Sequence, residues 1–290
     1  MMAVKFFGQF LVEKGAVSRE ALLKAIDLQE QKNLKLGEMA LLMAYITQSD
    51  IDRAHNAQYS KDTRLGDLLV EMGLLTLNQL NEVIARQKNT HLYIGEALVL
   101  VNALTNEDLL RHLEAFKADQ AMYVSDRIEL PAGISNSSTW EIVADLTYKM
   151  ITRVLDIQFK PGKSHIVPNT IASNFMMAAM DLSGDVEARY LLSVSEGLQK
   201  TIAKAILREK NVDDEPVDVL EDTVMEFVNV VCGNVAAKAS QMGTTMDINP
   251  PVTIHPPVAG LPVPVGCTAL CFPIYVGEGE IMEMILLIRQ

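Results

Sequence analysis

The chain has no excess of basic charge. Its 290 residues carry 25 Lys and Arg against 37 Asp and Glu, for a formal net charge of −12. Residues 1–120 hold 13 basic against 16 acidic side chains, and residues 121–290 hold 12 against 21. Nucleic acids and anionic membrane surfaces attract basic proteins, so we expect neither of them as a partner.

Long apolar runs are also missing. No stretch reaches the roughly 18 consecutive apolar residues that a membrane-spanning helix needs. The first residues lack the apolar core and the small-residue cleavage site of a signal peptide. The composition, 49% hydrophobic and 21% charged, is that of a globular protein. We therefore expect a cytoplasmic protein of about two domains with no membrane insertion.

Cysteine is scarce, with Cys232, Cys267 and Cys271 as its three occurrences. An odd count in a chain of this length argues against a disulfide framework. Cys267 and Cys271 are four residues apart in a strand-like stretch, so they point to the same side. Because no His lies nearby in the sequence, we expect buried reduced thiols and no metal site.

The first half repeats with a period of 29 residues, which Gly8, Gly37, Gly66 and Gly95 mark most clearly. Three further sets of residues keep the same spacing. Helix-capping residues recur at Ser18, Thr47, Thr76 and Thr105, and aliphatic residues recur at Leu22, Ile51, Leu80 and Leu109. Glutamine recurs at Gln29, Gln58 and Gln87, but the fourth repeat has Phe116 at this position. Each repeat predicts two short helices, and Thr76 with Gln79 predicts a capping box. A single helical hairpin cannot bury its apolar side. We therefore predict an all-α array of tandem helical hairpins, eight short helices over roughly residues 5–118.

The third repeat, RLGDLLVEMGLLTLNQLNEVIARQ, resembles the repeat of the MshEN domain. That domain occurs at the N-terminus of type II secretion and type IV pilus ATPases, where two consecutive motifs bind cyclic di-GMP. The second repeat departs from the motif, with Lys35 for Arg and Ala44 for the second Gly. The alternative is a helical array that packs but no longer binds a ligand. The resemblance implies nucleotide-binding roles for Lys35, Leu36, Gly37, Gln58, Arg64, Leu65, Gly66, Gly73 and Gln87.

The second half predicts an α+β domain with long helices packed on one antiparallel sheet. Pro, Gly and a Ser/Asn cluster mark residues 124–138 as a linker between repeats at 1–123 and a domain at 139–290. Ser138 or Thr139 is expected to cap the first helix. The predicted elements are a helix at Trp140–Leu155, strands at Ala172–Leu182 and Ala188–Val194, a helix from Ser195 to about Arg208, a helix at Val217–Met242, and a hairpin of Cys267–Val276 with Ile281–Arg289.

The helix predicted at Val217–Met242 carries one polar stripe. Asp222, Glu226, Asn229 and Gly233 follow at spacings of 4, 3 and 4, which places them on one helical face. From the spacing alone, the favoured interpretation of this stripe is the solvated face of an ordinary surface helix that tolerates a glycine. The surrounding sequence decides between the two interpretations.

That surrounding sequence resembles the CheX/CheC/FliY family of chemotaxis phosphatases, and CheX most closely. The family signature is Asp/Ser-x3-Glu-x2-Asn, followed by about 22 intervening residues and then a Pro. Asp222, Glu226 and Asn229 match it, and Pro251 falls one residue short of the expected position. The first helix keeps Ser137-x3-Glu141 but has Ala144 where the signature has Asn. The resemblance therefore implies one catalytic face per chain.

The family's mechanism assigns a role to each residue of this face. Asn229 would hold the attacking water, Glu226 would dock on a lysine of a phosphorylated receiver domain, and Asp222 would support them. The resemblance thus predicts an aspartyl-phosphate phosphatase of CheY-type response regulators. It needs no cofactor in this chain, because the divalent metal sits on the receiver, and it implies a homodimer formed through the CheX-like domain.

Two alternatives stay open at this stage. One is a non-catalytic adaptor that binds cyclic di-GMP or a receiver in two-component, pilus or secretion signalling. The other is a structural adaptor in which both sites are inactive.

Overall fold

A computed structural model describes residues 5–58, 61–120, 128–172 and 174–289. The first part of the predicted linker, residues 124–127, lies outside the described residues. The chain divides into an N-terminal unit, Met1–Met122, and a C-terminal unit, Tyr123–Gln290. Where the structure describes it, no helix is long and apolar enough to cross a membrane.

The described part of the N-terminal unit is entirely helical, and short helices alternate with longer ones. The short helices have seven residues each and begin at positions 7, 36, 65 and 94, which are 29 apart. Thr76 caps α6 through the capping box with Gln79 that the sequence predicts. The helices are α1 (Phe7–Glu13), α2 (Arg19–Lys32), α3 (Leu36–Leu42), α4 (Gln48–Gln58), α5 (Leu65–Glu71), α6 (Leu77–Thr90), α7 (Ile94–Leu100) and α8 (Asn106–Gln120).

The four helix pairs do not pack in simple succession. One core joins the second pair (α3, α4) to the third (α5, α6), with Met39, Leu68 and Leu69 fully buried in it. A separate core joins the first pair to the fourth, around Phe10 and Leu98. The N-terminal unit therefore has two lobes, each made of two helix pairs. The second and third pairs form one lobe, which is inserted in the sequence between the first and fourth pairs of the other lobe.

The glycine column serves close packing inside each helix pair. A Cβ placed on Gly66 would lie 2.6 Å from a methyl group of Leu80, and one on Gly95 would lie 2.5 Å from Leu109. Each short helix can thus lie directly against the long helix of its own pair. The 29-residue spacing of glycines and aliphatic residues is in this respect a packing pattern.

Each short helix is followed by a residue with left-handed backbone conformation, at the same position of each repeat. Gly15 and Gly73 have φ values of 67° and 70°, so Gly73 is the helix stop that the sequence predicts. Ala44 and Asn102 take the same conformation, with φ values of 56° and 58°. For Ala44 this conformation is unfavourable, because its Cβ crowds the backbone.

The described part of the C-terminal unit has three α-helices and a main sheet in the predicted α+β arrangement. Its helices are α9 (Ser137–Met150, continued by a π-helical turn, Ile151–Leu155), α10 (Glu196–Leu207) and α11 (Val217–Gln241). Its strands are β1 (Phe159–Pro161), β2 (His165–Val167), β3 (Thr170–Ile171), β4 (Met176–Gly184), β5 (Ala188–Val194), β6 (Met246–Ile248), β7 (Val252–Ile254), β8 (Leu261–Pro262), β9 (Cys267–Val276) and β10 (Ile281–Arg289).

The main sheet is antiparallel, in the order β1-β9-β10-β5-β4-β6, with β2 also paired to β9 and β7 also paired to β4. Helices cover one face, where the hydroxyl of Thr147 in α9 lies 3.3 Å from that of Tyr190. The opposite face is covered in part by the small β3–β8 pair, through Ile171 and Leu261. Because the central strands are buried on both faces, β4 reads as a continuous apolar run without the usual alternation.

Two local predictions need correction. Helix α9 begins at Ser137, inside the predicted linker, and its N-cap residue is Asn136 in the left-handed conformation, not Ser138 or Thr139. Of the three cysteines, all unpaired, Cys232 and Cys271 are buried, whereas Cys267 is only partly buried. Burial raises the pKa of the Cys232 and Cys271 thiols, which keeps them protonated and unreactive.

Candidate functional site

Helix α11 presents the predicted polar stripe to solvent because its apolar stripe is anchored in the core. Val224, Phe227 and Val231 are completely buried under it. Asp222, Glu226 and Asn229 are exposed, as residues spaced by 4 and 3 positions on the opposite side of the helix must be. The amide nitrogen of Asn229 donates a long hydrogen bond of 3.5 Å to Oε2 of Glu226.

The stripe forms one side of a groove of about 630 Å³, which we call the α11 groove. From the helix, Asp222, Met225, Glu226 and Asn229 line this groove, and the segment Ile248–Pro251 forms its opposite wall. Pro251 of the sequence signature and its neighbour Pro250 thus lie across the groove from the signature amide. Met225, Ile248 and Asn249 also line the groove, and no sequence pattern predicts this role for them.

The wall owes its position to a bulge. Strands β6 and β7 both pair with β4, and between them three residues, Asn249–Pro251, stand opposite two, Met180 and Asp181. The backbone N–H of Asn249 still donates to the carbonyl oxygen of Asp181, at 3.2 Å. Pro250 and Pro251 have no N–H to donate. The chain therefore leaves the ladder at the two prolines, as extra residues in bulges do.

The segment that follows the wall is tied to α11 just beyond β7. His255, the residue after β7, has its Nε2 3.0 Å from Oε1 of Glu221. The Glu221 side chain is only 18% exposed, whereas that of His255 is 61% exposed. The two residues are 34 positions apart in the sequence, and no local pattern signals their contact.

Gly233 extends the stripe by one turn toward open space. A Cβ placed on it would meet nothing within 4 Å. This chain therefore gives Gly233 no packing role, unlike Gly66 or Gly95. The glycine leaves a shallow place beside Asn229 where a partner can approach the helix backbone.

The first helix, α9, carries a counterpart groove of about 1000 Å³, which we call the α9 groove. Glu141, Asp145 and Tyr148 line it from the helix, and the turn between β1 and β2 lines it from the sheet. Ala144, at the position of the signature amide, is completely buried. An asparagine there would face the core, so the α9 groove has no position for a water-holding amide at this point of the helix.

The predicted nucleotide-binding residues lie in one lobe of the N-terminal unit. Lys35 and Arg64 are exposed and immediately precede α3 and α5. Leu36 and Leu65 pack against the core of that lobe, and a methyl of Leu36 lies 3.3 Å from the Cβ position of Gly66. Gly37 is buried at the corresponding place in α3, whereas Gly73 lies just past the end of α5, where an added Cβ would meet nothing within 4 Å.

The two predicted glutamines hold the loops that carry these cations. Nε2 of Gln58 donates to the carbonyl oxygen of Thr63, just before Arg64, at 3.0 Å. Nε2 of Gln87 donates to the carbonyl oxygen of Leu34, just before Lys35, also at 3.0 Å. The contacts are reciprocal between the second and third helix pairs, so each glutamine sits beside the cation of the other pair.

The lobe of the first and fourth helix pairs has the same arrangement, except that one of its two glutamines comes from outside the repeated glutamine position. Nε2 of Gln29 donates to the carbonyl oxygen of Leu92, at 3.0 Å. The reciprocal contact comes from Gln120, whose Oε1 accepts from the backbone N–H of Lys5 at 2.8 Å. Phe116 occupies the repeated glutamine position and packs on Phe7, with ring centroids 5.3 Å apart.

Comparison with known proteins gives a match over the C-terminal unit. The model of the family described as chemotaxis phosphatase CheX matches residues 176–275, a stretch that contains Glu226, Asn229 and Pro251. This match supports the resemblance of the C-terminal half to the CheX family. No curated protein matches the chain.

Solved structures give further similarities. A CheX from Desulfovibrio desulfuricans is 17% identical, with 52% of this chain and 99% of that chain covered and a TM-score of 0.46. A CheX solved with CheY, BeF3 and Mg2+ from Borrelia burgdorferi is 22% identical, with 52% and 98% covered and a TM-score of 0.45. A CheC-like protein from Shewanella sp. PV-4 is 17% identical, with 53% and 99% covered and a TM-score of 0.45.

Proposed function

We propose that the C-terminal unit hydrolyses the aspartyl phosphate of a phosphorylated CheY-type receiver domain. The observation that carries this proposal is the pairing of exposed Glu226 and Asn229 on α11, across a groove from Pro250 and Pro251, inside the stretch matched by the chemotaxis phosphatase family. The alternative interpretation, an ordinary solvated helix face, has no reason to place a diproline wall opposite the amide.

The reaction requires few chemical groups from this chain. An asparagine amide does not take up a proton near neutral pH, so Asn229 cannot act as a general base. Its carbonyl oxygen accepts a hydrogen bond and its NH2 group donates, so it can hold a water in line with the phosphorus atom. Catalysis of this kind works by positioning, as it does for the glutamine that orients water in small GTPases. The receiver supplies the divalent metal that takes up phosphoryl charge.

Glu226 then serves docking. It is exposed one turn before Asn229, close enough to accept from the Asn229 amide. A carboxylate at this place suits an ammonium group on the partner, and Asp222, one turn earlier, adds negative charge to the same stripe.

The test is the decay of phosphate on CheY-type receivers phosphorylated with acetyl phosphate, followed with wild type, Asn229→Ala and Glu141→Ala. We expect Asn229→Ala to slow turnover by roughly 100-fold, the scale of a lost positioning interaction. Glu141→Ala, in the α9 groove, is the matched control and should keep the wild-type rate. Equal rates for wild type and Asn229→Ala would favour the non-catalytic adaptor and contradict the proposal.

For the N-terminal unit we propose that the second and third helix pairs are MshEN-like tandem hairpins that bind cyclic di-GMP. What supports this is that Lys35 and Arg64 belong to one lobe and that Gln87 and Gln58 hold the loops on which they stand. Guanidinium groups suit both a phosphate and the face of a guanine. Lys35 can offer the phosphate a charge, although it lacks the planar group that stacks on a base.

Calorimetric titration with cyclic di-GMP tests this second proposal. Wild type should bind in the micromolar range, and Arg64→Ala should weaken binding. Arg53→Ala removes an exposed arginine of the same lobe that pairs with Asp50, and it should change nothing. Absence of heat with wild type would leave this lobe as a packing module.

The resemblance also implies a homodimer through the CheX-like domain, and we propose that state for the intact chain. Light scattering coupled to gel filtration measures it directly. A monomer mass at micromolar concentration would contradict it.

A further inference from the structure

The wall of the α11 groove is weakly built into the sheet. Strand β7 has three residues, and among the described strands it pairs with β4 alone, at the edge of the sheet. Pro250 and Pro251 precede it, and Pro256 and Pro257 follow one residue after its end. Proline donates no backbone hydrogen bond, so the ladder cannot extend past β7 on either side through these residues.

The contact between His255 and Glu221 compensates for this. His255 is the one residue between β7 and the second proline pair, and its Nε2 is 3.0 Å from Oε1 of Glu221. Glu221 is next to Asp222 in α11, and its carboxylate is largely removed from solvent. The contact thus joins the segment that continues the wall through β7 to the helix that carries Glu226 and Asn229.

We infer that Glu221 and His255 are positioning residues, which hold the diproline wall at a fixed distance from Asn229 so that a receiver domain docks in one pose. This inference rests on the proposed function. Neither side chain lines the groove itself, so the pair acts through the wall and does not touch the reacting atoms.

The consequence for kinetics follows from where the wall lies. A wall that contacts the docked partner away from the phosphoryl group contributes equally to the ground state and the transition state. Losing such an interaction raises KM and leaves kcat unchanged. If the pair were purely structural, its loss would change stability but leave both KM and kcat unchanged.

The variants are His255→Leu, which removes the contact, and His255→Gln, whose amide can still donate to Glu221. Glu187→Gln is the matched control, because it weakens an exposed ion pair with Arg289 elsewhere in the same unit. Three quantities are measured on the full chain: hydrogen exchange of the Val252–Ile254 amides, the Kd for a receiver loaded with BeF3 and Mg2+, and the steady-state constants on the phosphorylated receiver.

We expect faster exchange at Val252–Ile254 in His255→Leu, since a less anchored edge strand opens more often. Its Kd and KM should rise about fivefold, equivalent to about 1 kcal/mol, with kcat unchanged. His255→Gln and Glu187→Gln should behave as wild type in all three measurements.

Unchanged exchange in His255→Leu would overturn the inference, whatever the protein does to phosphate. Faster exchange with an unchanged Kd would show that the contact serves stability alone, and would also overturn it. A wild-type protein that binds the BeF3-loaded receiver but releases no phosphate would refute the proposed catalysis, while the Kd of His255→Leu would still decide the positioning role.

Discussion

In the C-terminal unit, the α9 groove and the α11 groove each lie between a helix and two short strands that share one partner strand. Strands β1 and β2 flank Gly162–Ser164, which stands opposite Phe272 and Pro273 of β9, three residues against two. The α11 groove has the same count, with Asn249–Pro251 opposite two residues of β4. The two halves of the unit therefore share a backbone plan.

The two grooves differ in their side chains. On α11 the signature position is an exposed amide, Asn229, whereas on α9 it is Ala144, which is completely buried. Asp145 of the α9 groove pairs with Lys149 at 2.7 Å. In the part of the chain that the structure describes, no Lys or Arg pairs with Asp222 or Glu226 in this way. Lys163 and His165 also line the α9 groove, whereas the residues that line the α11 groove include no basic side chain. The difference teaches that a shared groove geometry does not by itself make a site, because the groove also needs an exposed amide and acidic charge without basic neighbours.

The largest expected effect is that of placing the signature asparagine at the corresponding position of α9, Ala144. Ala144→Asn should destabilise the protein by about 3 kcal/mol, because a larger polar side chain must fit a filled core without a partner. It should not raise phosphatase turnover. Urea unfolding measures the stability, and Ala237→Asn on the exposed surface of α11 is the control, with an expected cost of about 0.5 kcal/mol. A stable Ala144→Asn protein with higher turnover would show that the two grooves are chemically interchangeable.

The sequence predicted most of this unit because its long elements end at strong local signals. The bounds of β5, β9 and β10 are those predicted, and α10 begins after Ser195, whose hydroxyl accepts from the N–H of Leu198. The start of α9 was missed because its N-cap residue, Asn136, makes no side-chain capping bond. The short strands β6 and β7 were missed because four prolines surround them, and a local pattern does not reveal pairing with a distant strand.

The candidate site was predictable to the same degree. Helical spacing placed Asp222, Glu226 and Asn229 on one face, and the structure keeps them there. The spacing could not show that Ala144 is buried, nor that Glu221 meets His255 from 34 residues away. In the N-terminal unit, likewise, the 29-residue period does not reveal that the first helix pair packs with the fourth.

A second difference between the grooves concerns charge. Glu226→Gln removes an uncompensated carboxylate from the α11 groove, so KM for a phosphorylated receiver should rise about tenfold, or about 1.4 kcal/mol. The dependence of KM on salt should weaken in the same variant, because screening acts on the charge that has been removed. Glu141→Gln is the equivalent change in the α9 groove and should leave KM and its salt dependence as in wild type. Equal responses of the two variants would mean that partners dock in both grooves.

The smallest expected effect is that of a substitution at Gly233, which distinguishes a change in stability from a change in partner docking. Alanine is about 1 kcal/mol better than glycine inside a helix, and a Cβ at Gly233 meets nothing in this chain, so Gly233→Ala should be more stable by up to that amount. If a partner backbone approaches α11 there, the added methyl should raise KM about fivefold, or about 1 kcal/mol. Ala237→Gly reverses the propensity change on the same helix and should lower stability without altering KM. A Gly233→Ala protein that gains stability and keeps its wild-type KM would place the docking surface nearer the N-terminal end of α11, around Asp222 and Glu226.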